Sequence, residues 1–431
     1  MNHDLHIPLE KLPPVSRDSS FLGMITTQFF GAFNDNLFKQ LVLLLCVEYV
    51  EKLKVTSDIY QTIAQALFAI PFVLFSGFAG FLSDLISKRR IVILCKLAEV
   101  IVMLSGLVVF FVTRVLSAPS MSLLFVVLFF MGTQSAFFGP AKYGILPEML
   151  RGRDLPTANG VIQMTTFLAI IFGTVAAGYS KTWFHDRLWM VSGICILIAT
   201  IGMATSLLIR RTVVAHRGLK FQASSLGINR ETRQLLNSDR QLLGVLLVST
   251  LFWFVSGVVL PTVNTFGRHQ LQISDHRTSL LAACIGIGIA VGCFLGGKLS
   301  QERVNFRLVR VGAWGIVTAL SIVSLLAVSG LTVNQIEWSV RLTLVVLGVF
   351  AGLFAVPLQV FIQIRPPEDQ KGRMIGAMNL LNWIGILIAS MFYFLTSVLF
   401  STTRISWTFV VLGAIMLPVA LFYRQKDEIL H

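Results

Sequence analysis

Charged side chains are scarce in this sequence. Asp, Glu, Lys and Arg make up 13% of its 431 residues, whereas hydrophobic residues make up 55%, and the mean hydropathy is +0.78. An ordinary water-soluble domain carries about 25% charged residues. This composition excludes most soluble enzymes and predicts an integral membrane protein with little chain left for an extramembrane domain.

Histidine and cysteine are also few, and their positions exclude several kinds of site. The histidines fall in predicted termini and loops, without the spacing of a metal site or an acyltransferase motif: His3, His6, His185, His216, His269, His276 and His431. The cysteines lie inside apolar runs and show no paired spacing: Cys46, Cys95, Cys195, Cys284 and Cys293. We therefore expect no metal, no cofactor, no disulfide framework and no catalytic residues.

Long hydrophobic runs dominate what remains. A helix that spans a membrane needs about 20 apolar residues, and the sequence contains twelve such runs. They lie near 21 to 47, 60 to 83, 91 to 113, 121 to 144, 159 to 183, 187 to 209, 241 to 266, 278 to 299, 309 to 331, 340 to 362, 376 to 399 and 405 to 423. The predicted fold is an all-α membrane protein with twelve transmembrane helices in two six-helix halves.

Basic residues predict how the chain is oriented. The net charge is +14, and most Lys and Arg fall in loops on one side if the N-terminus is cytoplasmic, as the positive-inside rule requires. The linker between the halves contributes Arg210, Arg211, Arg217, Lys220, Arg230, Arg233 and Arg240. We expect both termini in the cytoplasm, with anionic lipid rather than nucleic acid as the counter-charge. The first twenty residues are polar with three prolines, so we expect no cleaved signal peptide.

The two halves are related by an internal repeat. We divide the chain into a tail (1–20), an N-terminal half (21–209), a basic linker (210–240), a C-terminal half (241–423) and a second tail (424–431). Matching residues recur 217 positions apart: Gly80 and Gly297, Leu82 and Leu299, Ser83 and Ser300, Phe137 and Phe354, Pro140 and Pro357. Two separated matches with a single offset indicate a duplication.

This organisation resembles the major facilitator superfamily, whose halves rock about a site near the membrane midplane. The segment GFLSDLISKRR supports the resemblance, since Gly80, Asp84, Arg89 and Arg90 stand where that superfamily has a glycine, an acid and a basic pair. A glycine allows close helix approach, and Asp84 can accept backbone N–H groups at the start of a neighbouring helix. We predict that these four residues form a gate; alternatively, the basic residues only enforce topology.

A few polar residues inside the first span are candidates for substrate binding. Charge in the membrane interior is costly and needs a partner or a hydrated cavity. At helical spacing the candidates form one stripe, flanked by Asn34, and comprise Gln28, Asp35, Asn36 and Lys39. An acid, a base and amides suit a zwitterion. The alternative is that Asp35 and Lys39 form an i,i+4 pair that neutralises itself.

Other spans add candidates with weaker support. Lys96 and Glu99 can pair with each other and have either a coupling or a bracing role. Gly139 and Pro140 predict an interruption of span four beside Lys142 and Tyr143; Lys142 either holds a phosphate or marks the membrane boundary. The remaining substrate-binding candidates are Gln163, Trp253 and Asn382.

Three segments resemble the bacterial lysophospholipid transporter family: QFFGAFNDNLFKQ, FFGPAKYGILPE and ANGVIQMTTFLAIIFGTVAAG. Asp35 and Asn36 match the family's acid and asparagine in span one, and Lys142 matches its lysine. Some relatives have a glutamate at the position of Gln163 and an arginine in span seven, where this chain differs.

The resemblance implies a flippase function. It implies import of lysophospholipids, especially lysophosphatidylethanolamine, from the outer to the inner leaflet of the bacterial inner membrane. A partner acyltransferase/acyl carrier protein synthetase, expected here as a separate polypeptide, would reacylate them. We expect a monomer.

The expected mechanism is alternating access. The headgroup amine would meet Asp35, the phosphate would meet Lys142 or Lys39, and the acyl tail would stay at the interface of the halves. One alternative is a proton-coupled exporter of a small molecule, such as a drug or siderophore, that uses Asp35 or Glu99 as proton carrier. Another is a receptor or scaffold whose linker docks a partner.

Overall fold

The computed structural model of the protein describes residues 13–53, 59–116, 121–184, 187–216, 218–300 and 302–430. Most of this chain is helical. The helices are α1 (Ser19–Leu53), α2 (Ile59–Leu85), α3 (Lys88–Leu116), α4 (Met121–Gly144), α5 (Leu146–Met149), α6 (Leu155–Trp183), α7 (Leu188–Ser206), α8 (Arg230–Ser238), α9 (Arg240–Thr265), α10 (Asp275–Leu299), α11 (Phe306–Ala327), α12 (Val333–Ile364), α13 (Lys371–Phe400) and α14 (Trp407–Phe422). Two short antiparallel strands, β1 (Arg303–Val304) and β2 (Glu428–Ile429), pair with each other.

The long helices confirm the predicted membrane fold. Within the described ranges, eleven of them are long and apolar enough to cross a membrane. The twelfth, α14, has 16 residues with Pro418 inside it, which corresponds to a length of about 24 Å at 1.5 Å per residue. Each predicted span coincides with one of these twelve helices, and the protein is a multi-pass membrane protein.

Polar caps define where several helices begin. The Asp18 carboxylate accepts hydrogen bonds from the backbone N–H groups of Ser20, at 2.9 Å, and Phe21, at 3.1 Å. Asp239 caps α9 in the same way, and Thr332 forms a capping box with Gln335 at the start of α12. Such side chains satisfy N–H groups that have no partner within the helix.

The chain forms two compact units. The first contains the residues up to Arg151, with Ala169–Arg233 and Pro366–Leu380, and the second contains Gly152–Leu168, Gln234–Arg365 and the residues from Leu381 onward. Segments 152–168 and 366–380 therefore group with residues from the other sequence half. The predicted boundaries of the halves, the linker and the tails stay a prediction, and residues 1–12 of the first tail lie outside the described residues.

Each unit packs its helices through glycines. In the first unit, a Cβ atom on Gly132 of α4 would overlap the carbonyl oxygen of Phe68 in α2. In the second unit, a Cβ atom on Gly348 of α12 would lie 2.8 Å from the Cα atom of Gly288 in α10. Between membrane helices there is little hydrophobic driving force, so close backbone approach and van der Waals contact stabilise the pairs.

The repeat predicted from the sequence has a structural counterpart in each unit. A Cβ atom on Gly80 of α2 would lie 3.0 Å from the Cα atom of Gly376 in α13. In the second unit, a Cβ atom on Gly297 of α10 would lie 3.1 Å from the Cα atom of Gly160 in α6. Gly80 and Gly297 are one of the pairs related by the 217-residue offset, so the duplicated glycine makes the same kind of contact twice.

One expectation about span four is wrong. Helix α4 continues through Gly139 and Pro140 to Gly144 without an interruption. Proline removes one N–H donor and crowds the preceding turn, but Pro140 lies close to the end of α4, where only one further turn depends on it. Lys142 and Tyr143 therefore lie in the last turn of a continuous helix.

Candidate functional site

The Asp35 carboxylate of α1 contacts α4 within the first unit. The amide Nε2 of Gln134 donates to Oδ1 of Asp35 at 3.2 Å, and the Ser135 hydroxyl donates to Oδ2. The Asp35 side chain is half-buried. Gln134 and Ser135 are not among the site residues predicted from the sequence, although two adjacent polar residues in an apolar span are a usable signal.

Lys39 and Asn36 use other partners, although they share α1 with Asp35. The Lys39 ammonium lies 4.9 Å from the ring centroid of Phe68, and the Asn36 amide donates to the carbonyl oxygen of Ala32 at 2.7 Å. Among the described residues, no carboxylate forms an ion pair with Lys39. The charges of Asp35 and Lys39 are thus not joined in a direct ion pair.

Asn34 belongs to a buried cluster with α3. Lys96 Nζ lies 2.7 Å from the Glu99 carboxylate, which also accepts a hydrogen bond from the Asn34 amide at 2.9 Å. Lys96 is 2% exposed and Glu99 is 0% exposed. A Cβ atom on Gly31 would overlap Lys96 Nζ, so this glycine makes room for the lysine. The predicted Lys96–Glu99 pairing is confirmed.

Lys142 is a buried cation with an aromatic contact. Its side chain is 9% exposed, and its Nζ lies 4.6 Å from the ring centroid of Tyr143. No carboxylate in the described part of the chain forms an ion pair with Lys142. A buried charge without a counter-charge is unfavourable by several kcal/mol. Lys142 can therefore accept an anionic ligand with little competition from the protein.

The remaining substrate-binding candidates fall in both units. Gln28 is buried on α1 in the first unit. In the second unit, Asn382 is buried and accepts a hydrogen bond from Ser249 at 3.3 Å, whereas Trp253 is exposed and contacts Phe252. Gln163, also in the second unit, is buried beside Cys293.

The contact predicted for Asp84 is present at the start of α13. The Asp84 carboxylate accepts the backbone N–H groups of Gly372, at 2.7 Å, and Arg373, at 3.0 Å, and the Arg373 side-chain Nε at 3.0 Å. These backbone groups belong to the first turn of α13, where N–H groups have no helical partner and the helix dipole favours an anion. Gly80 permits the close approach, since its Cβ would lie 2.7 Å from the carbonyl oxygen of Gly372.

Arg373 connects this contact to the linker. Besides Asp84, its guanidinium contacts the Glu231 carboxylate of α8 and the Asp369 carbonyl oxygen. Neither Arg373 nor Glu231 is predicted from the sequence, because no local pattern relates either residue to the GFLSDLISKRR segment. The linker is therefore part of the same charge network as the predicted gate.

The basic residues after Asp84 have separate roles. Lys88 is buried and pairs with Glu148, which follows α4. Burial raises the pKa of Glu148 above its ordinary value, although the nearby Lys88 charge partly opposes the shift. Arg89 donates to the carbonyl oxygen of Leu207 at 3.2 Å, and Arg90 is exposed. Whether Gly80, Asp84, Arg89 and Arg90 act as a gate stays a prediction.

In the first unit, the interior charges differ in how far the protein satisfies them. Lys96 and Glu99 neutralise each other, and Asp35 is held by two neutral donors. Lys142 alone among these four is deeply buried without a described counter-charge. Asp35 and Lys142 are thus an acid and a base that contact neutral groups of the protein. Together they can bind a small group that carries both signs of charge.

Comparisons with known proteins agree with this architecture. The lysophospholipid transporter LplT of Yersinia pestis (strain Pestoides F) is 29% identical over 376 residues, covering 85% of this chain and 84% of that protein. This relative confirms the resemblance to lysophospholipid transporters found in the sequence.

Solved structures with similar folds are also transporters. The human organic anion transporter MFSD10 has a TM-score of 0.71 at 15% identity, covering 94% of this chain and 98% of that one. The fucose:proton symporter FucP of E. coli has a TM-score of 0.69 at 13% identity, covering 95% of this chain and 100% of that one. At these identities the likeness shows the fold alone. Residues 21–390 match the Major Facilitator Superfamily, and the chain belongs to that superfamily.

Proposed function

We propose that this protein moves lysophospholipids, such as lysophosphatidylethanolamine, from the outer to the inner leaflet of a bacterial inner membrane by alternating access. Support comes from the relative named a lysophospholipid transporter and from the charges inside the first unit. The observation that carries the proposal is Lys142, a buried cation that has no carboxylate partner among the described residues. A substrate phosphate would supply the missing negative charge.

Asp35 would bind the other end of the headgroup. Its carboxylate is half-buried and is held by the neutral donors Gln134 and Ser135 rather than by a cation. An ammonium group of the substrate would therefore not have to displace a protein cation. A headgroup with both an amine and a phosphate suits Asp35 and Lys142 together.

The acyl tail needs an apolar environment throughout transport. Burial of a tail in lipid is worth about 0.8 kcal/mol per methylene group, so removing a sixteen-carbon tail into water would cost roughly 12 kcal/mol. Only the polar headgroup requires a polar route. We infer that the tail remains against apolar surface while the headgroup moves.

We also propose an orientation in the membrane and a partner enzyme for this protein. The N- and C-termini would be cytoplasmic, as the distribution of basic residues predicts. A separate acyltransferase/acyl carrier protein synthetase would reacylate the delivered lipid. The Asp84 contact with α13 would hold the transporter closed in one state of the transport cycle. Breaking this contact would separate the Asp84 carboxylate from the Arg373 guanidinium, which satisfy each other.

The test is leaflet-resolved uptake by reconstituted protein. Proteoliposomes receive fluorescent lysophosphatidylethanolamine in the outer leaflet, and a membrane-impermeant quencher measures how much becomes protected. We expect Asp35→Asn and Lys142→Ala each to reduce the uptake rate at least about tenfold, because each removes a charge-assisted contact worth about 1.5 to 3 kcal/mol.

Matched control variants test whether the loss of any charged side chain, and not only of Asp35 or Lys142, reduces the uptake rate. Lys298 and Glu368 are exposed, so Lys298→Ala and Glu368→Gln should retain the wild-type rate. Wild-type uptake by both Asp35→Asn and Lys142→Ala, at normal protein levels, would refute the assignment of these residues.

A further inference from the structure

Glu337 of α12 lies between two arginines in the second unit. Its carboxylate accepts a hydrogen bond from Nε of Arg277 in α10 at 3.0 Å. It also contacts Nη2 of Arg277 and Nη2 of Arg341, which lies one turn further along α12. Among the described residues, no other carboxylate pairs with either arginine. The cluster of Arg277, Glu337 and Arg341 therefore holds two positive charges and one negative charge.

One arginine would be enough to neutralise Glu337, whose side chain is only 1% exposed. The second arginine leaves a positive charge without a counter-charge. The Arg341 side chain is 16% exposed, and its Nε is buried without a hydrogen bond in the described part of the chain. The Arg277 side chain is 41% exposed and can be reached from the surface. A partly buried excess of charge is unfavourable, and an anion bound at the surface would relieve it.

The cluster lies where the apolar parts of α10 and α12 begin. The two helices run parallel, since Arg277 contacts Glu337 near their starts, and further along a Cβ atom on Gly288 would lie 2.9 Å from the Cα atom of Gly348. The apolar runs of these helices begin near positions 278 and 340, next to Arg277 and Arg341. Both guanidinium groups are therefore expected at the level of the lipid headgroups.

Trp338 supports this level in the membrane. Its side chain is 61% exposed, and its ring centroid lies 4.5 Å from the guanidinium carbon of Arg341. Tryptophan is enriched at membrane–water interfaces, and in the orientation proposed above the starts of α10 and α12 face the outside. Lys and Arg are less common on that side of a membrane protein. Two arginines on one glutamate therefore indicate a role other than setting the topology.

We propose that Arg277 and Arg341 bind the phosphate of a lysophospholipid in the outer leaflet before it is transported, an inference that rests on the proposed function. A guanidinium can donate two parallel hydrogen bonds to a phosphate, and the phosphate of an outer-leaflet lipid lies at the level of this cluster. The acyl tail can stay in the leaflet meanwhile, so no apolar surface is moved into water. The second unit would thus collect substrate at the outer surface.

The experiment measures lipid binding separately from transport. Purified Lys142→Ala protein lacks the phosphate contact proposed for the first unit. It is titrated in detergent with lysophosphatidylethanolamine or with a monoacylglycerol of the same tail, which has no phosphate, and the thermal unfolding midpoint reports binding. We expect Lys142→Ala to bind the phosphate-containing lipid about tenfold more tightly. The double variant Lys142→Ala/Arg341→Gln should lose this preference.

Two further changes in the same background separate phosphate binding from a purely structural contact. Arg341→Gln leaves Arg277 and Glu337 paired one to one, so the fold keeps a neutral pair. Glu337→Gln should bind the phosphate-containing lipid more tightly, because it removes the carboxylate that competes for both arginines. Arg404 is exposed between α13 and α14, on the same outer side if spans alternate, and Arg404→Gln should keep the preference.

Each outcome bears on a different claim. A preference that is already absent in Lys142→Ala, or that survives Arg341→Gln, would overturn this inference while the proposed function stands. Weaker binding by Glu337→Gln, or equal stabilisation by inorganic phosphate, would overturn it as well. If the preference depends on Arg341 but the wild type moves no lysophospholipid between leaflets, the proposed function fails and the binding site remains.

Discussion

At the scale of single residues, the Lys96–Glu99 pair is a fully buried charge contact of the first unit. Glu99 accepts from both Lys96 and the Asn34 amide, and Gly31 leaves the space that Lys96 occupies. Such a pair contributes little net stability when intact, but removing one member leaves the other charge buried and alone. Its role as a brace can therefore be separated from a role in coupling.

We expect Glu99→Gln to destabilise the protein by about 3 to 5 kcal/mol, because Lys96 would keep its charge without a counter-charge. The double variant Lys96→Met/Glu99→Gln should recover much of this loss, since it removes both charges. The measurement is the thermal unfolding midpoint of purified protein in detergent. A double variant that is no more stable than Glu99→Gln would contradict the bracing role.

At the scale of elements, the start of α13 depends on a residue from α2. Asp84 satisfies two backbone N–H groups of the first turn of α13 as well as the Arg373 side chain. Gly80 and Gly376 allow the two helices to approach closely enough for this contact. The capping group of one helix is thus provided by a distant helix rather than by the preceding loop.

We expect Asp84→Ala to lower the free energy of unfolding by about 3 kcal/mol, because Arg373 would lose one of its two carboxylate partners and two backbone N–H groups of α13 would lose their acceptor. Asp84→Asn should be intermediate, since it keeps one acceptor oxygen but loses the charge. Thermal unfolding in detergent gives the order of stability. Glu368→Ala, at a side chain that is 95% exposed, serves as the control and should be within about 0.5 kcal/mol of wild type. Equal stability of Asp84→Ala and wild type would show that the cap is not needed.

At the scale of the whole molecule, the distribution of basic residues predicts which loops face the cytoplasm. The linker carries Ser224 at an exposed position, and Gly330 lies exposed between α11 and α12, on the side opposite to the linker if spans alternate. Four of the native cysteines are buried, and only Cys284 is partly exposed. A Cys284→Ser background therefore suits labelling with a membrane-impermeant thiol reagent.

In that background we expect Gly330→Cys to be labelled in intact cells stripped of their outer membrane. Ser224→Cys should be labelled only after the membrane is permeabilised. A Cβ atom at Gly330 meets no atom within 4 Å, so the substitution should be tolerated. Labelling from outside of both positions, or of Ser224→Cys alone, would contradict the predicted orientation.

Several features of this protein could be predicted from its sequence. A membrane interior offers no hydrogen-bond partners to the backbone, so long apolar runs can only be helices, and the twelve runs became twelve helices. Charges inside such runs are costly enough to be rare, which is why Asp35 and Lys142 stood out. The i,i+3 spacing of Lys96 and Glu99 predicted their contact, because both residues lie on one helix.

Partners on different helices were decided only by the tertiary structure. Asp84 and Arg373 are separated by 289 positions, and Ser135 and Asp35 by 100, and no local periodicity relates residues at such distances. The amide pair formed by Asn159 and Gln363 likewise depends on how α6 and α12 pack, since each residue alone resembles any polar residue in a span. Hydropathy is summed along the chain and can be read from it directly, whereas hydrogen-bond satisfaction depends on which helices meet.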